Sequence, residues 1–282
     1  MTPDLPHLED DGLITPEVGA WGERKYRLLS VYAEEFTTSM RDKWDCRVYI
    51  DLFAGAGCAK LKGTSIIVPG SPLLAIKVPN PFDKYIFCEQ DQEKLSVLKK
   101  RTSALLTPEQ VSFVAGDANT NIDKILDEIP QAHRGFKVLG FCFADPYSVR
   151  NLHFETIRKL SSRYIDFLVL IPNYMDANRN LSRYLAEHNT ALDDFLGTKD
   201  WRRKWEDAQA RGKKFPRFLA DSFGRQMAKE DFIYNGLQET VPIRWDEKNV
   251  PLYVLMFFSR NTLGMKFWKA AMKYSTDQRE LF

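Results

Sequence analysis

The chain has 282 residues, a formal net charge of +2, 44% hydrophobic and 28% charged residues. That length suits one large α/β domain, and so small a net charge excludes the overall field of a strongly basic nucleic-acid binder, so any basic surface must be local. Cys46, Cys58, Cys88 and Cys142 form no C-x-x-C pair and have no nearby histidines, so neither a metal site nor a disulfide framework is expected. The acidic, polar start is unlike a signal peptide, and no apolar run approaches the roughly 20 residues that span a bilayer. The expectation is a cytoplasmic protein with no membrane partner.

Residues 1–20, with three prolines and several acids, read as a flexible lead-in to a single domain over 21–282. Tyr26, Leu29, Tyr32, Phe36 and Met40 recur at helical spacing from Trp21 to Lys43. Val48 to Ile50 is a short β-branched and aromatic run that ends on Asp51 and breaks into Ala54-Gly55-Ala56-Gly57. Lys60 to Pro69 reads as a loop. Gly70-Ser71-Pro72 then opens a helix, with Ser71 as N-cap and Pro72 at the first helical position. Strands follow at Tyr85 to Cys88, Val111 to Val114, Val138 to Ala144 and Ile165 to Ile171, each separated from the next by a helical pattern. Residues 175–237 read as a helical insertion. Thr240 to Trp245 and Leu252 to Phe258 predict an antiparallel hairpin, and Gly264 opens a last helix.

Strands alternating with helices predict an α/β, Rossmann-like, mostly parallel seven-stranded sheet, its last strand antiparallel and its insertion before the last two strands. Ligands of such sheets bind at the carboxyl ends of the strands, and the first four strands end on or near Asp51, Glu89, Asp117 and Asp145. A dinucleotide fingerprint needs a third glycine, where this chain has Lys60, which disfavours a nicotinamide cofactor. Asp51 beside the turn instead suits a ligand with a cationic amino group and sulfonium and no phosphate. S-adenosylmethionine is such a ligand. Glu89 is placed for the ribose hydroxyls, and Asp117 with the Ala118 amide for adenine; Phe53, Ala54, Gly55, Gly57, Gln90 and Asp145 complete the expected cofactor set. The plainer alternative is that Glu89 and Asp117 only cap the helices that follow.

Asp145-Pro146-Tyr147 combines a carboxylate, a proline and an aromatic ring, which can hold a planar amine with its lone pair aimed at a donor methyl. These three are the candidate catalytic residues. An amino-methyltransferase signature usually has two prolines before the aromatic, and here there is one. Candidate substrate-binding residues are Asn173 and the basic, aromatic stretch with Arg202, Arg203, Lys204, Lys213 and Lys214, which can meet phosphates and stack on unpaired bases. The alternative for that stretch is a solvated helix face with its tryptophans in the core.

In the order of its motifs the chain resembles the three-Cys-motif partner proteins, a bacterial and phage-associated family with a class I methyltransferase-like fold. The resemblance rests on Tyr49-Ile50-Asp51-Leu52-Phe53-Ala54-Gly55-Ala56-Gly57, Gly70-Ser71-Pro72-Leu73, Phe87-Cys88-Glu89, Gly116-Asp117-Ala118-Asn119, Phe143-Ala144-Asp145-Pro146-Tyr147 and the ending Tyr253 to Trp268. It implies the methyltransferase-like fold, S-adenosylmethionine as cofactor and a protein partner encoded nearby. Two functions follow as expectations. One is an S-adenosylmethionine-dependent methyltransferase acting on a nitrogen in nucleic acid. The other is a cofactor-binding partner or regulatory protein with weak or no catalysis.

Overall fold

A computed structural model describes residues 5–245 and 250–275; residues 1–4 of the lead-in and 276–282 of the domain lie outside it. Five strands build the parallel part of the main sheet: β2 (Cys46–Asp51), β5 (Lys84–Glu89), β6 (Val111–Ala115), β7 (Val138–Ala144) and β8 (Ile165–Ile171). They lie in the order β6-β5-β2-β7-β8, and β10 (Val250–Phe258) then β9 (Val241–Trp245) extend the β8 edge. β10 runs antiparallel to both β8 and β9. The chain thus moves outward from β2 to β6, crosses back, and continues from β7, so the order reverses between β2 and β7. The expected seven-stranded, mostly parallel sheet with an antiparallel last strand is what forms.

Alternation along the strands supplies both faces with apolar side chains, as a sheet covered on both sides requires. Val48 and Ile50 of β2 pack with Cys142 and Ala144 of β7 on one face, under α4 (Ile122–Glu128) and α5 (Phe154–Leu160). α6 (Leu181–Leu185), α7 (Ala191–Leu196), α8 (Trp201–Ala210) and α9 (Phe215–Lys229) lie between β8 and β9 in the chain and bring buried residues to the same face. Tyr49, Phe141 and Phe143 point to the other face, under α1 (Gly22–Met40), α2 (Ser71–Ile76), α3 (Gln92–Thr102) and α10 (Thr262–Ser275).

Two local readings are corrected. The segment read as a loop from Lys60 to Pro69 begins and ends in strands. β3 (Cys58–Leu61) and β4 (Ile67–Pro69) pair antiparallel, and β1 (Glu17–Val18) joins β3 in parallel. Charged Lys60 and Lys62 obscured a short apolar face made by Ala59, Leu61 and Val68, which pack with Leu5, Tyr26 and Leu74. Ser71 is also not the N-cap of α2. Gly70 holds that position, and Ser71 is the first helical residue.

Residues 5–18 cross this small sheet and are tied to α3 by Arg101. Its guanidinium donates to both carboxylate oxygens of Asp11 (2.7 and 2.8 Å), the Ile14 carbonyl (3.1 Å), the Thr15 hydroxyl (2.8 Å) and the Ala56 carbonyl (2.7 Å). One side chain therefore braces the lead-in and the glycine turn together. Arg101→Ala leaves the part-buried Ala56 carbonyl without its donor, an expected loss of about 2 kcal/mol. For a domain of this size that corresponds to a fall in Tm of roughly 5 °C. The check is a melting curve with amide exchange, which should accelerate first in residues 5–18; an unchanged melt would show that the brace contributes nothing.

Candidate active site

The strand order reverses between β2 and β7, and in doubly wound sheets ligands bind at the carboxyl ends of the strands at such a point. Gly55 and Gly57 both have left-handed backbone, with φ of 62° and 86°. That conformation strains any other residue. A Cβ built on Gly55 meets nothing within 4 Å, so the turn shows bare backbone to open space. From the other side the turn is held by its neighbours. The Ala54 amide donates to the Cys88 carbonyl (2.9 Å), and the Gly70 amide to the Gly57 carbonyl (2.7 Å). A Cβ at position 70 would stand 3.1 Å from that same carbonyl oxygen, so the close approach needs glycine there as well.

The four acids have different surroundings. Asp51 is fully covered, and its carboxylate accepts from the Tyr49 hydroxyl (3.1 Å), the Phe53 amide (3.2 Å) and the Ser71 hydroxyl. Burial pushes its pKa up to about 7, against the lowering effect of those three donors. Glu89 accepts from the Gly55 amide (2.7 Å) through one oxygen and the Asp91 amide (2.8 Å) through the other. It therefore links the end of β5 to the glycine turn, while Asp91 is the residue that caps α3. Asp117 accepts from the Asn119 and Thr120 amides (2.9 and 3.0 Å), holding the turn before α4. Phe53 is half-buried, Gln90 exposed, and Ala54 and Ala118 buried in the two faces of the core.

Asp145 follows β7 and lines a cavity of about 270 Å³. The rings of Trp21, Tyr26, Tyr147 and Tyr253 form much of its wall, with Lys25 beside Asp145. The Lys25 ammonium donates directly to the Asp145 carboxylate, and both side chains are largely covered. Burial alone would lower the Lys25 pKa, but the neighbouring carboxylate outweighs it and the net shift is upward. The ammonium also lies 5.0 Å from the Tyr26 ring centre. Tyr147 is 89% exposed, a flat apolar face beside the cavity mouth. Sequence reasoning missed Lys25 and Tyr253. Lys25 is 120 residues from Asp145 and sits in a run of charged residues typical of a solvated helix face.

The residues read as substrate-binding divide. Asn173 follows β8, is 3% exposed, and donates through its amide to the Pro216 carbonyl (3.2 Å), so it holds the start of α9 against the strand edge. Arg202 turns inward, paired with Asp193 (2.6 Å) and bonded to the Asn189 carbonyl (2.6 Å). Trp201 and Trp205 are buried core residues. Arg203, Lys204, Lys213 and Lys214 are exposed, Lys204 in an ion pair with Asp200 (2.8 Å). The tryptophans of the stretch lie in the core and most of its cations in solvent, as the solvated-helix alternative has it, so the tryptophans offer no ring for a base to stack on. Among the described residues no group of three or more His, Cys, Asp or Glu could hold a metal, and no helix is long and apolar enough to cross a membrane.

No family model and no curated protein matches the chain. Among solved structures it is similar to a Legionella pneumophila protein of family-model DUF519, at 12% identity over 88% of this chain and 91% of that one, TM-score 0.47. It is also similar to geranyl diphosphate methyltransferase in complex with SAM, at 12% identity over 85% and 91%, TM-score 0.41. A third is the methyltransferase domain of bacterial CtHen1, at 13% identity over 82% and 99%, TM-score 0.36.

Proposed function

We propose that the chain is an S-adenosylmethionine-dependent methyltransferase that modifies an amino nitrogen of a base in nucleic acid. The observation that carries this reading is that β2 and β7 end side by side, with Asp51 opposite Phe143, one strand leading into the open glycine turn and the other into Asp145-Pro146-Tyr147 in the wall of an aromatic cavity. When bound, the cofactor supplies an electrophilic methyl group on a sulfonium. Gly55 leaves room for it above the turn. Glu89 accepts from the ribose hydroxyls while its bond to the Gly55 amide fixes the distance between turn and acid. Asp117 accepts from the adenine amine, with the Ala118 amide beside it. Asp51 acts through its field, since its carboxylate is covered and the low local dielectric lets its charge reach a cation above the turn.

For the acceptor, Asp145 takes a hydrogen bond from the amino group and Tyr147 stacks on the base, so that the nitrogen lone pair is held in line. The amine becomes acidic as it acquires positive charge, and its proton passes to the hydrogen-bonded Asp145 carboxylate and on to solvent, so little further acid–base help is needed. Exposed Arg203, Lys204, Lys213 and Lys214 supply cations for the phosphate backbone. The four buried free cysteines suit a reducing cytoplasm.

The test is methyl transfer from labelled S-adenosylmethionine to DNA, RNA and protein offered separately. Label in DNA or RNA is expected. Label only in protein overturns the substrate class, and none in any fraction overturns the activity.

A second reading is favoured by the Lys25–Asp145 pair, in which a side chain of the protein already occupies the carboxylate meant for the acceptor. With the single proline of the motif and the resemblance to three-Cys-motif partners, it points to a cofactor-binding regulatory protein working with a protein encoded nearby. S-adenosylhomocysteine binding by calorimetry, with no transfer to any of the three substrate classes, would select it.

A further inference from the structure

A second cavity, of about 410 Å³, is lined by Arg150, His153, Arg183, His188, Thr190 and Asp194 among others. Two arginines and two histidines converge there against one acid. The Asp194 carboxylate is engaged, accepting from the Thr190 hydroxyl at 3.0 Å. Among the described residues neither Arg150 nor Arg183 has a carboxylate partner.

The surroundings hold the wall of this pocket in shape. The Arg150 guanidinium lies over the Tyr184 ring, 5.6 Å from its centre. The Tyr184 hydroxyl donates to both oxygens of Asp176 (2.8 and 3.0 Å), and Asp176 also accepts from the Val149 amide (2.8 Å). One part-buried carboxylate thus fixes the turn that carries Arg150 and the ring on which it rests. Ser148 and Asn151 close the same turn as a capping box. Across the pocket, Asn189 donates to the Arg183 carbonyl (2.9 Å) and accepts from the Ala191 amide (3.1 Å), which fixes the loop bearing His188. Two guanidinium groups placed this way, neither in a direct ion pair and with Asp194 the one acid in the lining, suit a tetrahedral oxyanion, and guanidinium groups match phosphate oxygens in pairs.

Arg150 is three residues beyond Tyr147, so the Cα atoms of these two lining residues, one from each cavity, lie at most about 11 Å apart. We propose that the second cavity binds a phosphate group, and that in the intact reaction this is a backbone phosphate of the strand whose base enters the aromatic cavity beside Asp145. This second clause rests on the methyltransferase reading above; the phosphate site itself does not.

The test uses the full chain, the single variants Arg150→Gln and Arg183→Gln, and the double variant. Fluorescence anisotropy follows a labelled single-stranded oligonucleotide from about 50 to 200 mM salt, and calorimetry follows inorganic phosphate. Each single change is expected to weaken oligonucleotide binding about 5–10-fold and to lower the salt slope by about one. The double variant should lose phosphate binding while keeping its melting temperature and its affinity for S-adenosylhomocysteine. Wild-type affinity for both probes in the double variant overturns the proposal, even if nucleic acid is methylated. Phosphate binding that the double variant loses, with no oligonucleotide binding by any form, upholds the phosphate site and overturns its assignment to a polynucleotide.

Discussion

Asp145→Ala is expected to lower methyl transfer by about 10²- to 10³-fold, the scale on which one preorganised group acts in a transition state. S-adenosylhomocysteine should bind within about threefold of wild type, a change of under 1 kcal/mol. The asymmetry arises because Asp145 faces the aromatic cavity and Lys25, whereas the glycine turn is held by Glu89, Gly70 and Arg101. The single variant carries a complication that geometry identifies in advance. It strands the Lys25 ammonium in a largely covered position, at a cost of about 2–3 kcal/mol after allowing for its partial exposure. Lost activity could then be lost folding.

The Lys25→Met/Asp145→Ala double variant separates the two. With both charges gone there is no stranded ion, and an apolar side chain fits the aromatic wall, so Tm should return to within a few degrees of wild type. Transfer should stay about 10²- to 10³-fold down, while Lys25→Met alone, although its melt is lowered by the unpaired Asp145 carboxylate, retains it. Thermal melts and initial rates on the same preparations are the measurement. A folded double variant with wild-type turnover would sink the role given to Asp145.

The pair also marks where the sequence stops being legible. Strand runs such as Val138–Ala144 and Ile165–Ile171 are visible because a strand buried on both faces is almost continuously apolar, with Asp166 the one charged residue in the two runs. The acids at their ends are visible because the turn after a strand is a short, polar interruption. Those two patterns place Asp51, Glu89, Asp117 and Asp145 along one sheet edge. The local partners, such as Asn119 and Thr120 for Asp117, follow from the turn itself; what the patterns cannot supply are the partners from remote elements: Lys25 from α1 for Asp145, Ser71 from α2 for Asp51, Gly55 for Glu89. The basic stretch from Trp201 to Lys214 fails differently. Interleaved tryptophan and arginine are equally compatible with a stacking surface and an amphipathic helix. Only the burial of Trp201 and Trp205 and the inward pairing of Arg202 tell them apart. The pairing of β3 with β4 was hidden by length, because strands of four and three residues carry too few alternations to register.

Asp51→Asn should make the protein more stable and a poorer binder of its cofactor. In the folded chain the Asp51 pKa is raised to about 7 by burial. A raised carboxyl pKa means that the folded state holds the proton more tightly than the unfolded chain does. Its contribution is therefore fully present below the unfolded value near 4 and is lost as pH rises to about 7. Above that, ionised Asp51 costs the fold on the order of 4 kcal/mol, an upper figure because the site can relax. Asparagine keeps one oxygen for the Phe53 amide, turns its NH2 toward the Tyr49 hydroxyl, which can accept as well as donate, and carries no charge. At pH 8 its Tm should exceed that of wild type by several degrees, and at pH 4 the difference should vanish. Cofactor binding should run the other way. If the ionised carboxylate attracts the cationic end of the ligand, wild-type affinity for S-adenosylhomocysteine rises between pH 5.5 and 7.5, by at most about tenfold per unit. Asp51→Asn should give a flat profile at the weak end. A charge kept under the glycine turn at such a cost to the fold is what a binding role would require. Flat profiles for both forms, with the stability gain intact, would leave Asp51 as a brace between Tyr49, Ser71 and the turn, and would remove it from the cofactor site.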